Sequence, residues 1–421
     1  MNQPNFNVEI FNIFRFDSIK VSHQLLPVDV ESYLSQLYSH FSSSSKRVAE
    51  LKAYLEFVEE DYLRLLQHIK IRWLSLYNSI DRLLKVYEPL SSYFCDNNNP
   101  DEDVVTCSPV IKNFFSSNMS KCTLHFLHQI LFDVQIKNLE LQRFSTSIAD
   151  LHRIITSLLK KLTNRLEQKY FGNNVRIILN TMPNDEQEKA ITSFTKYLSS
   201  IITYINKYYS EHSALAEALA IFGIIEIDQI TFDQIERCVT ILKIEVDRDK
   251  LFDELINVQS TFKEIISYRE SLSDQIKKYI GISEFNCDKI EETDEECEEF
   301  IHKSSTPAPD HQQNNSRVRP DQLWAYVLSK ISPYCEELKK LLCFVYSIPC
   351  SNAFTEGVFN HMKHAWTPSR NSMSIEAIAS ELKIRMNGKM NCDEFFSYVQ
   401  NERELIQCAR GTQKYKFKKS S

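Results

Sequence analysis

The chain has 421 residues, 43% of them hydrophobic and 25% charged, with six glycines, eleven cysteines and a formal net charge of −7. So few glycines argue against a turn-dense sheet protein or an enzyme built on glycine-rich phosphate loops, and point to helices joined by polar turns. The acidic balance gives no global basic field for nucleic acid, and an odd number of dispersed cysteines with no CxxC argues for reduced thiols in an intracellular protein.

Length suggests two or three domains. Residues 1–25 carry no clear pattern and no apolar stretch of the signal-peptide kind. No uncharged apolar run reaches the roughly 18 residues of a membrane span, so no membrane partner is expected. From "LPVDVESYLSQLYSHF" onward the spacing is helical, with Val30, Tyr33, Leu34, Leu37 and Tyr38 on one stripe. After the polar break "FSSSSKR", helical spacing resumes through Leu51, Leu55, Val58, Tyr62 and Leu65. Trp73, Leu76, Tyr77, Ile80, Leu83, Leu84, Tyr87 and Leu90 then predict one long amphipathic helix, fraying near Pro89.

A turn-rich loop over 95–109 precedes "CTLHFLHQILFDVQIKNLELQRFSTSIADLHRIITSLLKKLTNRLEQKYF", which predicts two long helices. Cys122, His125 and His128 are spaced i, i+3, i+6, so a zinc-like site is conceivable there, but Leu124, Phe126 and Leu127 between them favour core. "RIILN" (176–180) suggests a short strand with nothing obvious to pair with. Further helices are expected at about 185–210, 211–224 and 230–282, one of them entered from a Thr231 cap. Residues 288–320 are acidic, then polar and Pro-rich, and are expected to be a flexible linker. Residues 321–405 are helical again, with Ser374 as an N-cap and Glu381 and Arg385 as an i, i+4 pair, and the tail 406–421 is basic. His361 and His364 stand i, i+3 without companion ligands. There is no GxxxxGK[ST], GxSxG or HExxH.

Two stretches, 26–94 and 321–387, together resemble hAT-superfamily transposases and the host proteins derived from them. The pair Arg72–Trp73 opening a helix is similar to that family's RW motif. The segment "SIPCSNAFTEGVF…RNSMS" is similar to its C-terminal dimerisation region, where the usual form is Ser-Ile-Pro, small residues, then Ser-Glu-Arg-Val-Phe. Gly357 replaces the arginine, so the resemblance implies no phosphate contact at that position. The resemblance implies a mainly α fold with few or no strands. It would be the remnant of an RNase H-like core (26–94) interrupted by a large helical insertion domain (95–287), then the linker (288–320) and the dimerisation region (321–405).

Active members of that family cut DNA with three carboxylates that hold two divalent metals. Glu356 stands where the third carboxylate belongs, on a helix that also carries Asn360 and Lys363. The two aspartates belong upstream of the segment matching 26–94, where this sequence has only Asp17 in an unrelated context. His23 has Lys20 in place of the family's Cys or Asp, and no zinc finger is present. One carboxylate does not supply the oxygen ligands two Mg²⁺ need. The expectation is therefore a non-catalytic protein with no cofactor, in which Glu356 is a relic.

Arg72 and Trp73 would be DNA-contacting by resemblance, Trp73 against a flipped base; read from its spacing alone, Trp73 is a core aromatic. Leu341, Leu342, Phe344, Ile348, Pro349, Phe354, Val358, Phe359, Trp366, Ile378 and Leu382 are the expected dimerisation residues. The implied partner is a second copy or a related transposase-like protein, and the implied location is the nucleus. Two alternatives stand beside this reading: a DNA-cleaving, Mg²⁺-dependent fragment that takes its aspartates from another polypeptide, and a helical scaffold unconnected with DNA.

Overall fold

A computed structural model describes residues 24–68, 74–95, 108–143, 146–281, 318–331, 335–348, 350, 353–367, 373–387 and 392–410. Among the described residues the regular structure is helical, with no strand, as the glycine count and the periodicities predict. The chain divides into two compact units, residues 1–352 and 353–421.

The first unit opens with α1 (Val30–Ser42), started by Asp29, whose carboxylate accepts the N–H of Ser32 at 2.9 Å. Its stripe Val30, Tyr33, Leu34 and Leu37 is buried, and His40 and Phe41 extend it. Helix α2 (Ser45–Phe57) stops earlier than its spacing predicts. Glu59 takes φ 58°, and the Glu60 N–H reaches back to the Leu55 carbonyl at 2.9 Å, a left-handed C-terminal cap. The reason is electrostatic. Glu56, Glu59, Glu60 and Asp61 would crowd the negative end of a longer helix. Residues 60–68 run on without regular structure.

The single long helix expected from Trp73 to Leu90 is two, α3 (Leu74–Lys85) and α4 (Tyr87–Cys95), interrupted at Val86. The cause lies at Pro89, which has no N–H for the Lys85 carbonyl four residues back and whose ring would clash with it.

Helix α5 (Pro109–Phe115) takes proline at its first position after Ser108. The two long helices follow as expected: α6 (Asn118–Gln142) and α7 (Ile148–Glu167). Residues 176–179 are helical, with Asn180 as the C-cap, and not a strand: α8 (Asn173–Leu179) is entered through Gly172 at φ 125°, and Val175 and Leu179, one turn apart, bury together. Helices α9 (Asn184–Ser210) and α10 (Ser213–Leu219) lead through 3-10 turns at Ala220–Gly223 and Ile227–Gln229 into α11 (Phe232–Leu242). Thr231 caps α11 as expected, in a capping box with Gln234. Then come α12 (Arg248–Ser267), α13 (Leu272–Ile280), α14 (Pro320–Ser329) and α15 (Glu336–Ser347).

Helix α6 is the axis of this unit, with α3, α5, α7, α8 and α9 packed around it. Phe126 of α6 stacks on Phe194 of α9 with ring centroids 4.0 Å apart. Helix α7 also meets α10 and the turn at 220–223 so closely that a Cβ on Gly223 would lie 2.7 Å from the Ala149 carbonyl oxygen. One hydrophobic core runs through the unit, from Val30 in α1 to Cys350. The second unit holds α16 (Ala353–Ala365), α17 (Ile375–Asn387), α18 (Cys392–Asn401) and α19 (Arg403–Arg410), with α16 packed on α17 and α18 on α19. No helix among the described residues is long and apolar enough to cross a membrane.

Candidate functional site

The residues expected to mediate dimerisation fall into two groups. Leu341, Leu342 and Ile348 are buried in the core of the first unit, and Phe344 packs half-buried against it. Their cover comes from the same chain: α15 lies on α7 and α12. Glu254 of α12 accepts the backbone N–H groups of Glu336, Glu337 and Leu338 at the start of α15, and Lys340 bonds the Glu245 carbonyl. The Tyr346 hydroxyl donates to the Phe222 carbonyl at 2.7 Å, and the Cys350 thiol to that of Ser147 at 3.0 Å. Helix α14 joins the same body through the Tyr326 hydroxyl, which donates to Gln275 Oε1 at 2.9 Å.

The second group is on the second unit, where Phe359 and Trp366 face outward, Val358 and Leu382 are half-buried and Ile378 is buried. On α16, Val358, His361 and Met362 are half-buried and Ala365 is buried, an i, i+3, i+4, i+7 inward stripe. Phe359 and Trp366 lie seven residues apart on the flanking face, both exposed, with exposed Lys363 between them. Helix α17 starts at Ser374, whose hydroxyl accepts the Ala377 N–H at 3.2 Å, as its sequence predicts. Ile378 is buried and Leu382 half-buried, whereas Ile375 is 71% and Ile384 66% exposed. Glu376, in the first turn, has its carboxyl held below the usual value by its own backbone N–H and by the Ser374 hydroxyl, so it is charged. Helix α18 adds Phe395, Phe396 and Tyr398, all exposed. These three aromatics were not singled out by sequence; the signal available was an apolar run at helical spacing after Cys392.

Glu356 falls on α16, but its side chain and that of Phe354 lie outside the described residues, as do Asp17, His23, Arg72, Trp73, Pro349 and residues 288–317 of the expected 288–320 linker. The Cys122, His125 and His128 spacing resolves as core. Cys122 is fully buried, and burial pushes its thiol up to about 12. His128 Nε2 hydrogen-bonds Asp81 Oδ1 at 3.1 Å, and its ring stacks on Tyr77. Asp81 in turn pairs with Lys85 at 2.5 Å. Among the described residues no three His, Cys, Asp or Glu side chains are grouped to hold a metal ion.

Comparison with known proteins returns no match for this chain: no family model, no characterised protein and no solved structure.

Proposed function

We propose that this chain is a non-catalytic protein derived from hAT-superfamily transposases, and that it works by self-association through residues 353–410. Its derivation, the RNase H-like ancestry of its first helices and a nuclear location rest on the motif resemblance. The association rests on one observation: the outward faces of α16, α17 and α18 present Phe359, Trp366, Ile375, Ile384, Phe395 and Phe396 to solvent within a unit of fewer than a hundred residues. An apolar set of that density marks an interaction surface.

A second copy fits it. A two-fold pair sets the same patch against itself. The basic end of α16, at Lys363, then has a complement in the acidic start of α17, at Glu376. Tryptophan and phenylalanine are among the residue types enriched at such interfaces.

Sedimentation equilibrium on the full chain, alone and with Trp366→Ala or Phe359→Asp, tests this. Each substitution is expected to weaken self-association by about tenfold or more, the scale of an anchor residue. Unchanged association in both would refute the surface. Mg²⁺-dependent nicking of DNA that disappears in Glu356→Ala would instead establish the nuclease reading.

A further inference from the structure

Between α1, the start of α2 and Ser108 lies an open cleft of about 480 Å³. Its walls carry Ser39, His40 and Ser43 from the end of α1, Arg47 from the first turn of α2, and Ser108. Among the described residues no carboxylate lines it. Arg47 Nη1 donates to the His40 carbonyl at 3.1 Å, which engages one of the five guanidinium N–H groups. No Asp or Glu side chain among the described residues pairs with Arg47, and the nearby Glu50 is paired with Lys46. The Ser39 and Ser43 hydroxyls make no hydrogen bond among the described residues.

One further observation points to a missing anion, and a second marks an incomplete hydrogen-bond set beside the cleft. Helix α2 is 13 residues long and has no acidic residue in its first turn, where Lys46 and Arg47 stand instead. That arrangement sets positive charge against the positive end of the helix dipole, and an anion would offset it. His40 is 8% exposed, and its Nε2 is buried without a hydrogen-bond partner among the described residues. A buried polar nitrogen in that state lacks the partner that native interiors nearly always supply.

We propose that this cleft binds a phosphate group carried by a small molecule, with the Arg47 guanidinium and the Ser39 and Ser43 hydroxyls as its donors. A planar guanidinium fork matches phosphate oxygens in a bidentate way, and hydroxyls complete their coordination. Its volume of about 480 Å³ falls in the range of small-molecule sites. Burial, and next the Arg47 charge, hold the His40 imidazole below its ordinary value, opposed by Glu50. A dianion beside it reverses that balance, so His40 reports occupancy.

Inorganic phosphate titrated into the full chain, followed by calorimetry and by the His40 ring resonances, tests the site. The expected result is saturable binding at one site per chain, with His40 taking up its proton at higher pH when phosphate is present. Arg47→Ala is expected to weaken binding by about tenfold or more. Ser43→Asp, which sets a carboxylate beside Arg47, is expected to abolish it with the helical circular-dichroism signal unchanged. If Arg47→Ala fails to fold, Ser43→Asp alone decides. No saturable binding at tens of millimolar phosphate, or binding that survives these substitutions, would overturn the proposal. Self-association through residues 353–410 is read separately, so neither result prejudges the other.

Discussion

Glu254 in the middle of α12 accepts the backbone N–H of Leu338 at 2.7 Å, across 84 residues of sequence. Its other carboxylate oxygen accepts from Glu336 at 3.0 Å and Glu337 at 3.3 Å. The first N–H groups of a helix have no partner within it, and here one remote side chain supplies partners for three of them. The same contact ties α15, which the motif resemblance alone would put in a dimerisation region, into the core of the first unit. Glu254→Ala is expected to lower unfolding stability by about 1–2 kcal/mol, the range of a lost N-cap, and Glu254→Gln by less. Urea denaturation measures both; a loss within error for Glu254→Ala would show that α15 is held by packing alone.

Among the described residues, Asp133 of α6 is the most deeply enclosed carboxylate. Its carboxylate is fully buried, with Lys161 at 2.6 Å and Arg165 at 2.8 Å, both from α7. Lys161 is half exposed and can return to water, whereas Arg165 is 12% exposed and cannot. Asp133→Ala therefore leaves one buried, unpaired guanidinium and is expected to cost about 3 kcal/mol, at the low end for a broken buried pair. The same denaturation series reads it. A loss under about 1 kcal/mol would place the pair among those with no net worth.

The cysteines divide by reactivity. Burial pushes the thiols of Cys122, Cys238 and Cys350 up to about 12 and that of Cys335 up to about 11, while Cys343 is exposed. At pH 8 a thiol with a value of 12 is ionised in about one molecule in 10,000, and the thiolate is the nucleophile. Iodoacetamide at pH 8, read by peptide mass spectrometry, is expected to modify Cys343 in the native protein and the other four only in urea. Native labelling of Cys350 at the rate of Cys343 would contradict its placement against Ser147.

His125 sets an acid limit. Burial first, then the charges of His128 and Lys121, depress it from the ordinary 6.5 to about 4. The unfolded chain therefore takes up this proton at a higher pH than the folded one. The associated stability is complete above pH 6.5 and is lost as pH falls toward 4. His125→Gln is expected to flatten the stability profile in that window and leave it unchanged above pH 7. An equal slope in both proteins would show that His125 is not the group responsible.

Much of the helical layout is legible from residues. Thr231 with Gln234, Ser374 before α17 and the stripe Val30, Tyr33, Leu34, Leu37 each state a local rule that the fold obeys. The errors are also local in origin. Apolar spacing carries α2 on to Leu65 because periodicity counts hydrophobic positions and not the acids accumulating from Glu56 to Asp61. It joins α3 to α4 because the obstacle, Pro89, acts four residues upstream of itself. "RIILN" lacked a strand partner because it is helix. The partner of an apolar face is a different matter. Leu341 and Leu342 declare that something covers them, and nothing in their spacing says that α7 and α12 do so. On the candidate surface, Phe359 and Val358 are equivalent as letters, and only the packing of α16 on α17 separates the outward one from the inward one.

The central claim is self-association through residues 353–410. Size-exclusion chromatography with light scattering on the full chain tests it most directly. At micromolar concentration a species of twice the chain mass is predicted, shifting toward the single-chain mass in Trp366→Ala. A clean single-chain mass across that concentration range would contradict it.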